Sequence, residues 1–319
     1  MVKALIFLLA VMALVQVWAY LREARIAAAH PPTGQFIEVD GLMVHYQVMG
    51  EGPDLVLLHG ASGNLNDFTL SFTDRLTDRY RVILFDRPGL GYSDRLPHRR
   101  GAWNKSAETP AEQADLLIKA ADQLDVENPI VLGHSFGGVV ALSWGLAQPD
   151  NTAAVVLAGA VSEPWPGKLG WVYRLLGSTI GGALAPAIAT VLVPKSYINN
   201  SIDSIFQPQP APEGYADHIG ADLILRRHSN RANAQQVNGS RPYVVEMKKQ
   251  YGTLTMPIEI VHGTADTIVP ADVHAKVLID DVPNGALTLL EGQGHMPQHT
   301  APQEVEDAID RAATRAGLR

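Results

Sequence analysis

The stretch Ile130-Val131-Leu132-Gly133-His134-Ser135-Phe136-Gly137-Gly138 decides the fold. Its apolar start predicts a short buried strand, and the following segment Phe136–Ala147 predicts a helix. Ser135 therefore lies on a sharp strand-to-helix turn, where glycines two positions to either side tolerate the crowding of the backbone. A serine on such a turn is a candidate nucleophile, and the simpler alternative is a serine that only caps the helix.

Strands and helices alternate on both sides of this turn. Short β-prone runs predict strands at Gln35–Val39, Leu42–Met49, Asp54–Leu58, Tyr80–Phe85, Ile130–Leu132, Ala153–Val161, Ile258–Val261 and Leu287–Leu290. Helices are expected at Asp67–Leu76, from Thr109 to Leu124, at Phe136–Ala147 and over residues 301–316. Because most of the strands are continuously apolar, the sequence predicts a doubly wound α/β fold with a mostly parallel sheet.

Two local signals fix the boundaries of elements in this core. Asp40-Gly41 lies between two β-prone runs and is typical of a tight hairpin turn. Thr109-Pro110-Ala111-Glu112 has a threonine N-cap, a proline in the first turn and a glutamate that closes a capping box. We therefore expect an antiparallel hairpin near the start of the core and a helix that begins at Pro110.

One long segment interrupts the alternation. Residues 163–250 lie between two predicted strands, show no strand rhythm and contain many prolines and glycines. We expect an inserted helical cap, or lid, over the C-terminal edge of the sheet. Within it, Leu169–Val193 is very apolar but contains Arg174, Gly181-Gly182 and Pro186, which favour short lid helices over a second transmembrane helix.

The first residues differ from the rest of the chain. Lys3 precedes the apolar run Ala4–Tyr20, in which Gln16 is the one clearly polar side chain. Residues 1–25 are expected to form a retained membrane anchor, with the soluble part on the outer, periplasmic face. The alternative is a signal segment that is cleaved after Val17-Trp18-Ala19, which gives a secreted protein. Residues 26–34 are predicted to be a linker, and residues 35–162 and 251–319 the core.

Composition excludes several classes of function. The formal net charge is −8, which argues against nucleic acid as the main partner. The chain has no cysteine, so disulfides, thiolate catalysis and cysteine-rich metal sites are excluded. No pair of histidines has the spacing of a zinc-binding helix, and no Gly-x-Gly-x-x-Gly opens a helix after the first buried strand. No metal and no cofactor is implied.

A serine nucleophile needs a base, and the base needs a group that orients it. His295 lies in a glycine-rich loop after the last strand and is the candidate base, whereas His299 is expected to be solvated. Asp266 follows a strand in Gly263-Thr264-Ala265-Asp266 and is the candidate acid. Glu163 also follows a strand and is a rival to Asp266. The sequence favours Asp266, because its loop has no evident structural need for a carboxylate.

The third part of the predicted site is the loop that begins at His59-Gly60-Ala61, directly after the strand Asp54–Leu58. The backbone amides of Ala61 and Phe136 are expected to point at a developing oxyanion, and the N-terminus of a helix assists the second amide. The alternative is a glycine-rich turn without a ligand.

Together these motifs resemble the α/β-hydrolase superfamily. The resemblance covers residues 36 to 316 and rests on five elements in order: His59-Gly60, Asp86-Arg87-Pro88-Gly89-Leu90-Gly91-Tyr92-Ser93, Gly133-His134-Ser135-Phe136-Gly137-Gly138, Gly263-Thr264-Ala265-Asp266 and Gly294-His295. It implies a triad of Ser135, Asp266 and His295, and it makes residues 163–250 the variable cap. It also implies that Asp86–Ser93 is a structural turn without a catalytic role.

The resulting expectation is a serine hydrolase that cleaves an ester or similar acyl bond of a hydrophobic small molecule or a lipid through an acyl-serine intermediate. The dehalogenase and epoxide-hydrolase branches require an aspartate where Ser135 stands. The same triad also serves carbon–carbon bond hydrolases, perhydrolases and acyltransferases. Some proteins of this fold bind a ligand as receptors with the triad intact, so a binding protein is the alternative from another class.

Overall fold

A computed structural model describes residues 1–167 and 169–319. Its strands are β1 Gln35–Val39, β2 Leu42–Met49, β3 Asp54–Leu58, β4 Arg81–Phe85, β5 Ile130–His134, β6 Ala154–Ala158, β7 Ile258–Gly263 and β8 Gly285–Leu290. Its helices are α1 Val2–Ala29, α2 Asn66–Thr69, α3 Pro110–Asp122, α4 Phe136–Ala147, α5 Trp171–Gly177, α6 Thr179–Leu192, α7 Lys195–Phe206, α8 Tyr215–His218, α9 Arg227–Gly239, α10 Arg241–Lys248, α11 Ala275–Asp281, α12 Pro297–Thr300 and α13 Pro302–Arg315.

The eight strands form one sheet in the order β1-β2-β4-β3-β5-β6-β7-β8. Strands β3 to β8 run parallel to one another, and β1 and β2 form the antiparallel edge. Residues of β3, β5 and β6 are fully buried because helices pack on both faces of the sheet. The prediction of a mostly parallel α/β sheet is confirmed.

The two faces of the sheet carry different helices. Helices α3 and α4 pack on one face in a cluster that includes Leu117 and Val140. Helix α13 packs on the other face, where Val305 and Ile309 join Phe68 and Phe72. This arrangement places the carboxyl ends of the central strands at one edge of the sheet, where loops carry functional groups in open α/β folds.

The two local signals are confirmed. Asp40 and Gly41 have φ of 52° and 78° in the hairpin between β1 and β2, and glycine takes such a left-handed value without strain. Thr109 Oγ1 accepts from the N–H of Glu112 at 3.1 Å, and the Glu112 carboxylate accepts from the N–H of Thr109 at 2.8 Å. The capping box therefore begins α3 at Pro110, as predicted.

Three predicted boundaries are wrong. The expected linker 26–34 begins inside α1, because Ile26 is buried beside Leu223 and Leu225 and the helix continues to Ala29. The expected helix Asp67–Leu76 is broken into α2 and a 3-10 turn at Thr73–Arg75. The strand expected at Ala153–Val161 is limited to β6, since it pairs only where β5 and β7 run beside it.

Helices α5 to α10 lie between β6 and β7, where the cap is predicted. The apolar segment Leu169–Val193 forms two short helices that meet at 108°. The break falls at Ser178, whose hydroxyl caps α6 by accepting from the N–H of Gly181 at 3.1 Å. Gly181-Gly182 and Pro186 lie inside α6 instead of breaking it.

Helix α1 extends along α6 with most of its side chains exposed. Among the described residues it is the one continuous helix that is long and apolar enough to cross a membrane, and the bent pair α5–α6 passes the same test only as a broken span. Arg22 donates to the carbonyl oxygens of Val191 and Val193 at 3.0 and 2.6 Å, and Glu23 pairs with Arg227 at 2.9 Å. These contacts hold the end of α1 against the end of α6 and the start of α9.

Candidate active site

Ser135 lies at the turn between β5 and α4 with φ 51° and ψ −119°. This positive φ is strained for a residue with a side chain, and such strain is concentrated at functional sites. Side chains on the neighbouring glycines would collide with backbone. A Cβ on Gly133 would lie 2.3 Å from the Gly137 oxygen, and a Cβ on Gly137 would lie 2.1 Å from the Leu58 oxygen. The glycine spacing is therefore required by the packing of this turn.

The structure brings the three predicted triad residues together. His295 Nε2 lies 2.9 Å from Ser135 Oγ, and His295 Nδ1 lies 2.7 Å from Asp266 Oδ2. Ser135, His295 and Asp266 are only 8%, 4% and 5% exposed, so bulk water barely reaches this chain of hydrogen bonds. The geometry matches a nucleophile, a base and the group that orients the base. The roles of the three residues stay predictions.

Asp266 is held as a carboxylate by its loop. Its Oδ1 accepts from the N–H groups of Ile268 and Val269 at 2.8 and 2.9 Å. Burial alone raises the pKa of Asp266, but hydrogen bonds from His262, His295 and the Val269 N–H lower that pKa below its ordinary value. Asp266 is thus ionised at neutral pH and suited to keep a proton on His295 Nδ1.

Glu163, the rival acid, is occupied elsewhere. Its Oε2 accepts from Lys248 Nζ at 2.6 Å, and the same ammonium group lies 2.7 Å from Asp281. Burial raises the pKa of the Glu163 carboxyl to about 7, against the opposing effect of Lys248. In the structure Asp266, and not Glu163, contacts His295.

The loop after β3 packs against the turn that carries the serine. Gly60 packs so closely that a Cβ there would lie 3.0 Å from Ser135 Cβ. The N–H groups of Ala61 and Phe136 make no hydrogen bond to another described residue. Phe136 N is at the first turn of α4, where backbone N–H groups carry partial positive charge. Both predicted oxyanion donors are thus available at the same edge of the sheet.

Sequence reasoning missed Arg87, which it placed in a structural turn. Arg87 is fully buried and donates to the carbonyl oxygens of His59 and Gly60 at 2.8 and 2.9 Å. Its guanidinium also lies 4.7 Å from the centre of the Phe136 ring. Arg87 therefore fixes the peptides that lead to Ala61 and touches the residue of the second donor. The Asp86-Arg87-Pro88 motif was the signal in the sequence that could have drawn attention to Arg87. The contacts of the Arg87 side chain, however, are visible only in the folded structure.

Asn233 of α9 was missed as well. Its Oδ1 accepts from the N–H of Ser62 at 2.7 Å, and its Nδ2 donates to Ser62 Oγ at 2.9 Å. Ser62 directly follows Ala61 and has a φ of 61°, so the loop needs support from outside. An isolated asparagine 171 positions away gives no local signal in the sequence.

His299 was predicted to be solvated, and this is wrong. Its side chain is fully buried, and its Nε2 lies 3.1 Å from Asp67 Oδ1. Asp67 also accepts from the hydroxyl of Tyr215 at 2.6 Å and lies 3.6 Å from His134 Nδ1. These bonds hold the pKa of Asp67 below its ordinary value, although burial opposes them. Gln298 Nε2 also donates to Asp67 at 3.2 Å, so a buried carboxylate with four polar neighbours lines the same cavity as the serine.

A cavity of about 390 Å³ opens onto Ser135 and His295. The wall opposite the serine is mainly apolar and comes from the segment between β6 and β7, with Val172, Leu176, Ile198, Ile202, Ile205 and Ile224. Within residues 1–167 and 169–319, no three histidine or carboxylate side chains are grouped as metal ligands. The arrangement suits acyl transfer to serine from a substrate with an apolar part.

Comparison with known proteins supports this architecture. An uncharacterized protein of Mycobacterium tuberculosis is 27% identical over 88% of this chain and 81% of its own length. The pimeloyl-[acyl-carrier protein] methyl ester esterase of Aeromonas hydrophila is 25% identical over 84% of this chain and 98% of its own length. A bacterial membrane phospholipase A, 20% identical, superposes with a TM-score of 0.64 and 98% coverage of each chain. Residues 53–302 match the family model of the alpha/beta hydrolase fold, and the chain belongs to that family.

Proposed function

We propose that this protein is a serine hydrolase that cleaves a carboxylic ester, or a similar acyl bond, of a hydrophobic small molecule or lipid. The observation that carries the proposal is the continuous hydrogen-bonded chain from Ser135 through His295 to Asp266 at the floor of an apolar cavity. The relative from Aeromonas hydrophila, an esterase by name, supports the same class of reaction.

The reaction begins at Ser135 Oγ, which attacks the carbonyl carbon of the ester while His295 Nε2 takes the hydroxyl proton. Asp266 accepts a hydrogen bond from His295 Nδ1 and stabilises the imidazolium that forms. The amides of Ala61 and Phe136 bind the oxyanion of the tetrahedral intermediate, and loss of one such donor costs about 3 kcal/mol. His295 then protonates the leaving alcohol, and the acyl group stays on Ser135.

Water completes the cycle. It loses a proton to His295 Nε2 and attacks the acyl carbonyl, and the same two amides hold the second oxyanion. His295 returns the proton to Ser135 Oγ as the carboxylic acid leaves. Residues 163–250 act in this proposal as the helical cap that receives the apolar part of the substrate, because their side chains line the wall opposite the serine.

Helix α1 serves in this proposal as a retained membrane anchor. Only Ala19 and Ile26 of its residues are buried against the rest of the chain. Trp171, Ile180 and Leu192 of the adjacent α5 and α6 are also exposed, and apolar surface of this extent is typical of contact with lipid. The proposed location of the soluble part is the outer, periplasmic face. A secreted form, cleaved after Ala19, would lose the contact of Gln16 with Arg227.

The test is the intact mass of the full chain after incubation with a fluorophosphonate probe, with Ser135→Ala as the matched control. We expect one adduct on the wild-type protein and none on the variant. The same spectrum shows whether residues 1–19 are still attached. Absence of an adduct on folded wild-type protein would contradict an activated serine. Unchanged ligand affinity in Ser135→Ala without any turnover in the wild type would indicate a binding protein instead.

A further inference from the structure

A second cavity, of about 790 Å³, lies outside the proposed active site. Four segments that are distant in the sequence surround it: α1 around Gln16 and Glu23, the loop Tyr92–Ala102, α6 around Gly182, and the start of α9 up to Arg231. Helix α9 separates the two cavities, because His228 and Arg231 line the second one while Asn230 and Asn233 line the first.

The lining of the second cavity is cationic in a protein of negative net charge. Its arginines outnumber its carboxylates five to two, although the whole chain carries a formal charge of −8. Three of these arginines have carboxylate partners: Arg95 with Glu108, Arg100 with Asp94 and Arg227 with Glu23. The other two are Arg226 and Arg231. The cavity therefore holds more positive charge than its own carboxylates offset.

Arg226 and Arg231 are buried without a carboxylate partner among the described residues. Arg226 donates to the carbonyl oxygen of Leu223 at 3.2 Å and lies over the Tyr92 ring. Arg231 donates to the carbonyl oxygens of Leu176, Ser178 and Asn104 at 3.1, 3.0 and 2.6 Å. Carbonyl oxygens satisfy N–H donors, but they do not neutralise the charge of a guanidinium group.

The Arg231 side chain shows this lack of partners most clearly. It is 5% exposed, and its Nε has no hydrogen-bond partner. Burial and the nearby Arg95 lower the pKa of Arg231, and burial lowers the pKa of Arg226. A Cβ on Gly182 would lie 1.2 Å from an Arg231 terminal nitrogen, so glycine at this position makes room for the guanidinium group. Gly182 of α6 thus has a role in accommodating this charge.

We propose that this cavity binds a phosphate group. Guanidinium groups bind phosphate oxygens through paired, charge-assisted hydrogen bonds, and an anion of this kind would offset the charge on Arg226 and Arg231, with the half-exposed Arg100 as a further cation in the lining.

The position of the cavity points to a lipid headgroup as the source of the phosphate. The apolar run Ala4–Tyr20 is about 26 Å long as a helix, close to the thickness of a bilayer core. Trp18 and Tyr20, at the end of this run, are 64% and 65% exposed, and such residues are typical of the membrane interface. Gln16 and Glu23, which flank Trp18 and Tyr20 in the sequence, line the cavity. The cavity therefore lies at the same depth along α1 as these two aromatic residues. This assignment rests on the proposed anchoring of α1, but it does not depend on hydrolysis at Ser135.

Native mass spectrometry of the full chain in non-ionic detergent micelles tests the proposal. The Ser135→Ala variant is used throughout, so that hydrolysis cannot consume the probe. Equal amounts of dioleoyl phosphatidic acid and dioleoylglycerol are offered, because these lipids have the same tails and differ in the phosphate. We expect the retained phosphatidic acid to exceed dioleoylglycerol by about tenfold. Equal retention of the two lipids would overturn the proposal.

Substitutions at exposed residues that line the cavity test the site without changing the buried packing of the fold. Arg100→Gln removes one cation from the cavity, and Ala102→Glu adds a carboxylate to its lining, so each is expected to lower phosphatidic acid retention at least by about threefold. Lys105→Gln is the matched control, because it removes an exposed cation from the same loop outside the cavity. Retention that is the same in all three variants would contradict the site.

Inorganic phosphate distinguishes the two sources. If the lipid is the ligand, about 10 mM inorganic phosphate leaves most of the phosphatidic acid bound, because the acyl chains contribute to its affinity. If that concentration removes the lipid, the site takes free phosphate and the lipid assignment is wrong. Failure of the fluorophosphonate test would leave this result unaffected, since the binding measurement is made without the serine hydroxyl.

Discussion

The two walls of the active-site cavity are held by different forces. The core wall carries Ser135, His295 and Asp67, and each of these side chains is fixed by hydrogen bonds to other buried groups. The cap wall, with Leu176 and Ile202 among its members, consists mainly of apolar side chains fixed by packing alone. Directional bonds hold reacting atoms to within fractions of an ångström, whereas apolar packing adapts to different shapes. In the proposed function, the core wall performs the chemistry and the cap wall selects the substrate.

The largest effect expected on the core wall is that of Asp266→Asn. An amide at this position cannot hold the proton on His295 Nδ1 in the same way, and such a change lowers kcat by about 10⁴-fold in a comparable triad. The measurement is kcat/KM with a short and a long p-nitrophenyl ester, and both should fall together. Glu163→Gln is the matched control, expected to stay within about twofold. A loss in Glu163→Gln in place of Asp266→Asn would reverse the assignment of the acid.

Asn233→Ala tests whether a residue of the cap wall also positions part of the core wall. Asn233 belongs to the cap, yet it holds Ser62 beside the proposed oxyanion donor Ala61. Removal of both hydrogen bonds loosens the loop, and we expect kcat to fall by about 10- to 30-fold with KM nearly unchanged. Asn230→Ala is the control, because Asn230 lines the same cavity without touching that loop. A change in KM alone would mean that Asn233 contacts substrate and does not position the loop.

Leu176→Trp tests the cap wall itself. Leu176 is 9% exposed and lines the cavity, so a larger side chain there shortens the space for an acyl chain. We expect kcat/KM for p-nitrophenyl dodecanoate to fall by about tenfold, and that for p-nitrophenyl acetate to change by less than about twofold. The neighbouring Leu175 is 42% exposed and outside the cavity, which makes Leu175→Trp the control. Equal losses for both esters in Leu176→Trp would show a general disturbance of the fold.

The sequence predicted the core wall far better than the cap wall, for a physical reason. Ser135, Asp266 and His295 each follow a strand of the parallel sheet, and parallel strands bring their carboxyl ends to one edge. Local patterns therefore predicted a meeting between residues 160 positions apart. For the cap segment, Gly181-Gly182 and Pro186 were expected to favour short helices without a defined break, and the structure places the break at Ser178 while these residues lie inside α6.

Buried polar groups were the hardest part to predict. His299 was expected in solvent, since nothing local shows that Asp67 and Tyr215 enclose it. The reach of Arg87 and the cationic cavity beside α1 depend on contacts between distant segments, which no pattern in one segment reveals. Long side chains with several donors act at positions set by the whole fold, so a sequence shows their presence and not their partners.

The smallest expected effect concerns Glu163, which joins the core to α10 of the cap through Lys248. Its Oε1 is buried without a hydrogen-bond partner, and burial raises the pKa of Glu163 to about 7 from its ordinary value of 4.5. Between these values the folded protein binds a proton that the unfolded chain releases. The stability contributed by this group is therefore present below pH 4.5 and is lost as pH rises toward 7.

Glu163→Gln is neutral at every pH and removes this dependence. The Tm of the variant minus the Tm of the wild type should thus increase between pH 5 and pH 8, by about 2–4 °C if the effect is on the order of 1 kcal/mol. Glu246→Gln is the control, because Glu246 is 66% exposed and pairs with Lys249 on the surface of the same helix region. A difference that is constant across this range would mean that Lys248 keeps Glu163 ionised. The junction between the two walls would then be an ordinary ion pair, with no pH-dependent weakness.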